Sequence, residues 1–291
     1  MPELPEVEVT RRSVAPNLVG RRIQRVKTTG PSYFFITPPA RLTRALVGRT
    51  VLDLARHGKY LIATLDDGFR VLLHLGMTGQ LFVAGARSVR LLSAERRSTL
   101  AAHETPAFRP DVHTHLRLGF YDGGPELYFR DVRKFGKCAL LSPGARDARL
   151  DKLGVDALEA TAVPLYEAAK RRSTPIKSLL LDQSVIAGVG NIYADEALFR
   201  SKIRPTRPAD RVTLAECTTL IREIKRVLLR SIEIGGSSID DFVRPDGSDG
   251  GYQDERWVYG RDGEPCRRCR SAIVRIVIGQ RSSHFCPTCQ R

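Results

Sequence analysis

The sequence predicts a multi-domain α+β protein: an N-terminal helix plus a β-sandwich, then a helical region ending in a β-hairpin closed by four cysteines. Three observations predict it. The first residues carry apolar side chains at helical spacing, short β-rich runs fill residues 22–141, and beyond about residue 150 the apolar period becomes helical. A chain of 291 residues with 42% hydrophobic content is long enough for two modest cores.

Leu4, Val7, Val14 and Leu18 place residues 3–18 in a helix that Gly20 stops. The runs 56–65, 69–83 and 116–121 read as strands, with Asp67-Gly68 and Asp122-Gly123-Gly124 as hairpin turns. Several antiparallel strands without intervening helices argue for a sandwich or barrel. Residues 86–111, rich in Arg, Ser and Ala, are expected to form a mobile polar loop. In the second half, Thr213 and Glu216 form a capping box for a helix over 213–234, whose stripe is Leu214, Cys217, Leu220, Ile221, Ile224 and Leu228. Pro175 suits the first turn of a helix over 176–182, and the Gly188–Asn191 turn leads into another helix ending near Ser201. Residues 235–256 are rich in Gly, Ser and Asp and are expected to be a flexible lid. The expected domains are 1–145, 150–256 with the lid at 235–256, and 257–291.

Lys and Arg number 47 against 32 Asp and Glu, a net of +15. Residues 1–150 hold 24 basic and 13 acidic groups, and residues 151–291 hold 23 and 19, so the excess sits mainly in the first half. An anionic partner is indicated, nucleic acid ahead of membrane, with a merely solvated basic surface as the alternative. No apolar run approaches the roughly 18 residues of a membrane span, and the acidic N-terminus does not resemble a signal peptide. A cytosolic protein with no membrane partner is expected, and Cys138 and Cys217, alone in apolar surroundings, read as reduced core thiols.

The most specific pattern is Cys266-x2-Cys269, sixteen residues, then Cys286-x2-Cys289, the spacing of four thiolates closing tetrahedrally on one structural Zn(2+). Two disulfides are the alternative, disfavoured in a cytosolic chain. Residues 257–291 hold seven Lys or Arg and two acids, so the hairpin offers a basic edge, with Arg281 near its tip as the candidate phosphate contact.

The second pattern is Met1-Pro2-Glu3-Leu4-Pro5-Glu6-Val7-Glu8. A small second residue favours removal of Met1, which exposes Pro2 as a secondary amine. An α-amino group, with a pKa near about 8 against about 10.4 for lysine, is far more often unprotonated at neutral pH. Attack of such an amine on a sugar anomeric carbon gives a permanently cationic iminium, an electron sink for elimination, and Glu3 beside it is a general acid or base. Spacing alone favours the plainer reading, a Pro-Glu helix start whose acids suit the dipole.

With Lys59 in RHGKYL, HLGMTG at 74–79, RDVRKFG at 130–136, GVGNIYADE at 188–196 and the terminal cysteines, the whole chain resembles the formamidopyrimidine-DNA glycosylases. The resemblance implies a bifunctional glycosylase and lyase that excises 8-oxoguanine and formamidopyrimidines from damaged double-stranded DNA, with β,δ-elimination, working as a monomer in the bacterial cytoplasm near the nucleoid. It also implies a helix–two-turn–helix element in the helical domain. Residue by residue it implies Pro2 as the Schiff-base nucleophile and Glu3 as proton donor, with Lys59 and Arg281 contacting phosphate within the catalytic set. His74, Lys177 and Asn191 become DNA contacts, and Met77, Arg133 and Phe135 fill the hole left by the flipped nucleotide. An apolar wedge and an arginine for the orphaned base lower the few kcal/mol that unstacking costs. Leu4 favours this branch over the related endonuclease VIII enzymes for oxidised pyrimidines; a non-catalytic zinc protein that binds damage is the rival from another class. Lys134 where the family often has arginine, the basic 86–111 loop, and Asp240 and Asp241 in the lid are departures.

Overall fold

The computed structural model describes residues 1–91, 105–239 and 241–291; Asp240 and the middle of the 86–111 loop lie outside the described residues. The chain divides into two compact units, Met1–Asp147 with Ile234–Gly251, and Ala148–Glu233 with Tyr252–Arg291.

The first unit opens with helix α1 (Leu4–Val14), which starts at Glu3 through a capping box: Glu6 Oε2 accepts the Glu3 N–H at 2.8 Å. A 3-10 turn, Ala15–Asn17, ends it short of the expected residue 18. The strands are β1 (Ile23–Thr28), β2 (Val51–His57), β3 (Tyr60–Leu65), β4 (Arg70–His74), β5 (Gly79–Val83), β6 (Thr114–Phe120), β7 (Leu127–Asp131) and β8 (Lys137–Leu141). They form two antiparallel four-stranded sheets, ordered β1-β6-β7-β5 and β2-β3-β4-β8. One core cluster takes Ile23, Leu81, Leu116 and Phe129 from the first sheet, Leu54, Leu61, Leu73 and Leu140 from the second, and Val7 and Val14 from α1. Each sheet thus buries one face on the other.

Two expected strands each prove to be two. The run 56–65 folds back at Gly58-Lys59 between β2 and β3, and the run 69–83 changes sheets through residues 75–78 between β4 and β5. Gly58 (φ +54°) and Gly76 (φ +64°) take the left-handed backbone that breaks each run, and apolar patterning alone does not show it. Asp67-Gly68 and Asp122–Gly124 do make hairpin turns.

Phe82, Ala86, Leu91, Phe108, Tyr128 and Val243 form a second buried cluster. The described ends of the 86–111 loop pack against the sandwich rather than hanging free. By contacts residues 234–251 group with the first unit, and within them Phe242 and Val243, 5% and 2% exposed, are buried apolar side chains in a Gly- and Asp-rich run. Cys138 is buried in the main core, its thiol pushed up to about 12 by burial, and Cys217, also buried, is pushed up to about 11.

The second unit holds helices Ala162–Lys170, Ile176–Leu181, Asn191–Arg200 and Leu214–Glu233, followed by the hairpin Val274–Ile278 with Arg281–Phe285. The expected capping box is present: Glu216 Oε2 accepts the Thr213 N–H at 2.8 Å and Thr213 Oγ1 accepts the Glu216 N–H at 3.3 Å. Of the expected stripe only Leu214, in the first turn, is exposed. Among the described residues no helix is long and apolar enough to cross a membrane.

Candidate active site

Pro2 and Glu3 are buried at the start of α1. Glu6, one turn on, accepts the Glu3 N–H through Oε2 and the Ser237 N–H through Oε1 at 2.9 Å, tying the Pro2 end of the helix to the 234–251 segment. Gly236 (φ +83°) makes this approach possible, since a Cβ there would lie 3.0 Å from the Phe242 ring and 3.3 Å from Glu6 Oε1. Glu8 faces Arg11, Arg12 and Arg56 with bonds of 2.7–3.0 Å. Burial alone would raise its pKa, but the three guanidiniums hold it down at about 2.

Lys59 sits at the β2–β3 tip and is only 8% exposed, not the open strand lysine of the simplest reading. His74, at the end of β4, pairs with Tyr60 across the sheet, their rings 4.6 Å apart, and its Nδ1 accepts the Gly76 N–H at 3.0 Å. Burial, with Lys59 and Lys137 nearby, pushes its pKa down to about 4, so at neutral pH the ring is uncharged and Nε2 carries the proton.

Met77 lies in the β4–β5 loop, and Arg133 and Phe135 lie in the β7–β8 loop. These two loops touch backbone to backbone: a Cβ on Gly76 would fall 2.5 Å from Gly136 N. Arg133 and Phe135 are exposed, the guanidinium 4.6 Å from the ring centroid. Met77 is half-buried. The sequence pattern and the fold therefore bring all three expected void-filling side chains to one end of the sandwich.

In the second unit, Lys177 is not where a phosphate contact would be. It is fully buried, its Nζ 2.6 Å from Asp195 Oδ1 and donating to Ser282 O at 2.8 Å. Asp195 also accepts from Ser283 Oγ at 3.0 Å and His284 N at 2.8 Å. A charge this deep is tolerated only when paired, and this pair ties the hairpin strand to the helices. Asn191 is the first residue of its helix, with Gly190 as N-cap. Gln183 braces the preceding turn, donating to Leu181 O and Val189 O and accepting the Gly188 N–H at 3.0 Å. Arg281 is exposed beside the hairpin turn, where Gly279 (φ +52°) and Gln280 (φ +63°) give the double left-handed pair of a type I′ turn.

The four hairpin cysteines are unbridged, and their sulfurs all lie within 4.8 Å of one another. Four thiolates at about 2.3 Å from a tetrahedral zinc stand about 3.8 Å apart, so the set fits one structural ion with no open position. Backbone N–H groups of Arg268 and Cys289 point at Cys266 Sγ and Cys286 Sγ, both at 3.4 Å, which suits anionic sulfur. Phe199 packs with Cys266, Ile273 and Cys286, and Glu196, fully buried, accepts the N–H groups of Trp257, Val258 and Tyr259.

Asp131, Glu6, Gln183, Asp195 and Glu196 received no role from the sequence. Four lie inside or beside the quoted motifs, but spacing does not reveal which acid turns inward.

The family model "Formamidopyrimidine-DNA glycosylase N-terminal domain" matches residues 1–138, the corresponding H2TH domain matches 153–243, and "Zinc finger found in FPG and IleRS" matches 263–291. Formamidopyrimidine-DNA glycosylases of Heliobacterium modesticaldum and Thermus thermophilus are 41% and 39% identical, covering all of this chain and 100% and 98% of theirs. Among solved structures, MutM (Fpg) of T. thermophilus superimposes with a TM-score of 0.81 at 37% identity, covering 99% of this chain and 98% of that one. Lactococcus lactis Fpg bound to DNA containing an abasic site gives 0.83 at 33% identity over 100% of both chains. The chain belongs to the formamidopyrimidine-DNA glycosylase family.

Proposed function

We infer that this chain is a bifunctional glycosylase of base-excision repair that removes oxidised purines from duplex DNA and then cleaves the strand. The observation that carries this reading is a buried Pro-Glu pair at a helix start, in a chain that matches its relatives end to end and presents Met77, Arg133 and Phe135 on adjoining loops. The L. lactis relative has been seen with abasic-site DNA and, as a mutant, with Fapy-dG-containing DNA, which supports the substrate class. The bacterial sources of the relatives support work on the nucleoid in a bacterial cytoplasm.

With Met1 removed, the Pro2 nitrogen attacks C1′ of the damaged nucleotide, the bond from C1′ to the base breaks, and the base leaves with a proton. The C1′–O4′ bond then opens, O4′ taking a proton, as the Pro2 nitrogen lone pair forms the C1′=N iminium; a C2′ proton departs and its electron pair expels the 3′ phosphate, and a second elimination, begun by loss of the C4′ proton, expels the 5′ phosphate. Glu3 handles the proton at the sugar or leaving group. Lys59, neutral His74 through its Nε2–H, Asn191 and Arg281 hold phosphates, and Lys177 serves Arg281 from inside by fixing the next residue's carbonyl. Met77 and Phe135 restore stacking in the vacated step, and Arg133 bonds the orphaned base. The zinc supplies no chemistry to the reaction; it holds the hairpin that carries Arg281.

Excision from otherwise identical 8-oxoguanine and thymine-glycol duplexes tests the substrate class. Faster release of 8-oxoguanine is expected, and strong preference for thymine glycol assigns the chain to the pyrimidine-directed branch instead.

A further inference from the structure

We propose that Asp131 is a positioning residue that sets the two void-filling loops in register with each other, so that Met77, Arg133 and Phe135 enter the DNA as one unit. The proposal rests on the reading of the chain as a base-extruding glycosylase. Asp131 ends β7, is 0% exposed, and pairs with Gly79, the first residue of β5, so it stands where both loops leave the sheet. Its backbone is already committed, donating to His113 O at 2.9 Å and accepting from His115 Nε2 at 2.9 Å. Its carboxylate is spent on the loops. Oδ1 accepts from Thr78 Oγ1 at 2.5 Å and from Arg133 N at 3.3 Å, and Oδ2 accepts from Gly136 N at 2.6 Å. Thr78 Oγ1 also accepts from Arg133 N at 3.2 Å, closing a three-way junction between Met77's loop and that of Arg133 and Phe135.

The opposite polarity of the β7–β8 loop is met by Lys137, whose Nζ donates to the carbonyls of Lys134, Phe135 and Gly136 at 3.4, 3.3 and 3.1 Å. Between these two clamps Lys134 holds φ +57°, a left-handed backbone that a non-glycine residue keeps only when its surroundings impose it. A carboxylate is the one side chain of this size with acceptors only. Asparagine would turn an NH2 either toward the Gly136 N–H, donor facing donor, or toward the Arg133 N–H and Thr78, whose hydroxyl would have to reverse from donor to acceptor. What depends on these bonds is the placement of exposed side chains rather than a core, and a wedge displaced by about 1 Å is expected to cost up to about a hundredfold in rate.

The test is Asp131→Asn in the zinc-loaded enzyme, read on two duplexes of one sequence: an intact 8-oxoguanine pair, where a base must be extruded, and a preformed abasic site, where none need be. Single-turnover excision of 8-oxoguanine is expected to fall by about tenfold or more, with strand cleavage at the abasic site falling several-fold less. Fluorescence of 2-aminopurine beside the lesion, which reports unstacking, is expected to rise less than with wild type. Equal loss on both duplexes makes Asp131 a general structural acid, and no loss on either makes the junction irrelevant; both overturn the proposal. Thr78→Val removes one arm without stranding a charge and is expected to shift the same ratio more weakly. If Asp131→Asn does not fold, an unchanged ratio in Thr78→Val overturns the proposal by itself. A retained borohydride adduct on abasic DNA in these variants keeps the glycosylase reading separate, since that reading fails only if wild type itself forms none.

Discussion

Replacing Glu8 with glutamine removes the acid that gathers Arg11, Arg12 and Arg56 on the first helix. Its carboxyl is displaced from 4.5 to about 2, and at about 1.36 kcal/mol per unit this corresponds to about 3 kcal/mol of preference for the charged form in the folded chain. The Glu8 side chain is 8% exposed and that of Arg56 9%, so solvent screens the pair little, although Arg12 at 57% dilutes its share. A depressed acid stabilises the fold above its unfolded pKa and loses that contribution as pH falls through the folded value. Glu8→Gln is therefore expected to lower stability by about 2–3 kcal/mol at pH 7, with the gap narrowing below about pH 4.5 and closing near pH 2. Calorimetry of both proteins at pH 7, 5, 4 and 3 reads this as a difference in Tm of about 4–10 °C that shrinks with acid. A gap that stays constant with pH, or none at pH 7, refutes the reasoning.

Lys177→Met strands Asp195 in the interior and is expected to cost about 3–5 kcal/mol, part of it recovered by adding Asp195→Leu, which removes the stranded charge but also the acceptor of Ser283 Oγ and His284 N; a double variant no more stable than the single one contradicts a buried pair. Gly76→Ala forces a Cβ against the backbone of Phe135 and Gly136 at positive φ, so a loss of at least about 1–3 kcal/mol and slower excision are expected, and wild-type thermal stability argues against the close loop contact. Chelation, or Cys266→Ser, is expected to release one zinc per chain and to weaken DNA binding; full affinity in metal-free protein is incompatible with a structural ion that carries Arg281.

Much of this was legible because local patterns carried it. The Thr213–Glu216 box, the two Asp-Gly hairpins and the cysteine spacing are set by residues close in sequence, and each formed as expected. What was not legible depended on which way a side chain turns. A lysine in a basic chain reads as surface, yet Lys177 points inward because Asp195, eighteen positions on, meets it in the core. Residues 235–256 read as a lid because Gly, Ser and Asp outnumber Phe242 and Val243, but two buried apolar side chains are enough to dock the segment. The run 69–83 hid a change of sheet, since period-two alternation continues through a left-handed glycine without a visible break.

The central claim is that Pro2 is the nucleophile, and borohydride reduction on abasic-site DNA tests it most directly, with intact-mass measurement first showing that Met1 has been removed. Wild type is expected to give a covalent protein–DNA adduct whose attachment maps to Pro2, and Pro2→Ala to give markedly less. An adduct of undiminished yield in Pro2→Ala, mapping to a lysine, would contradict the account.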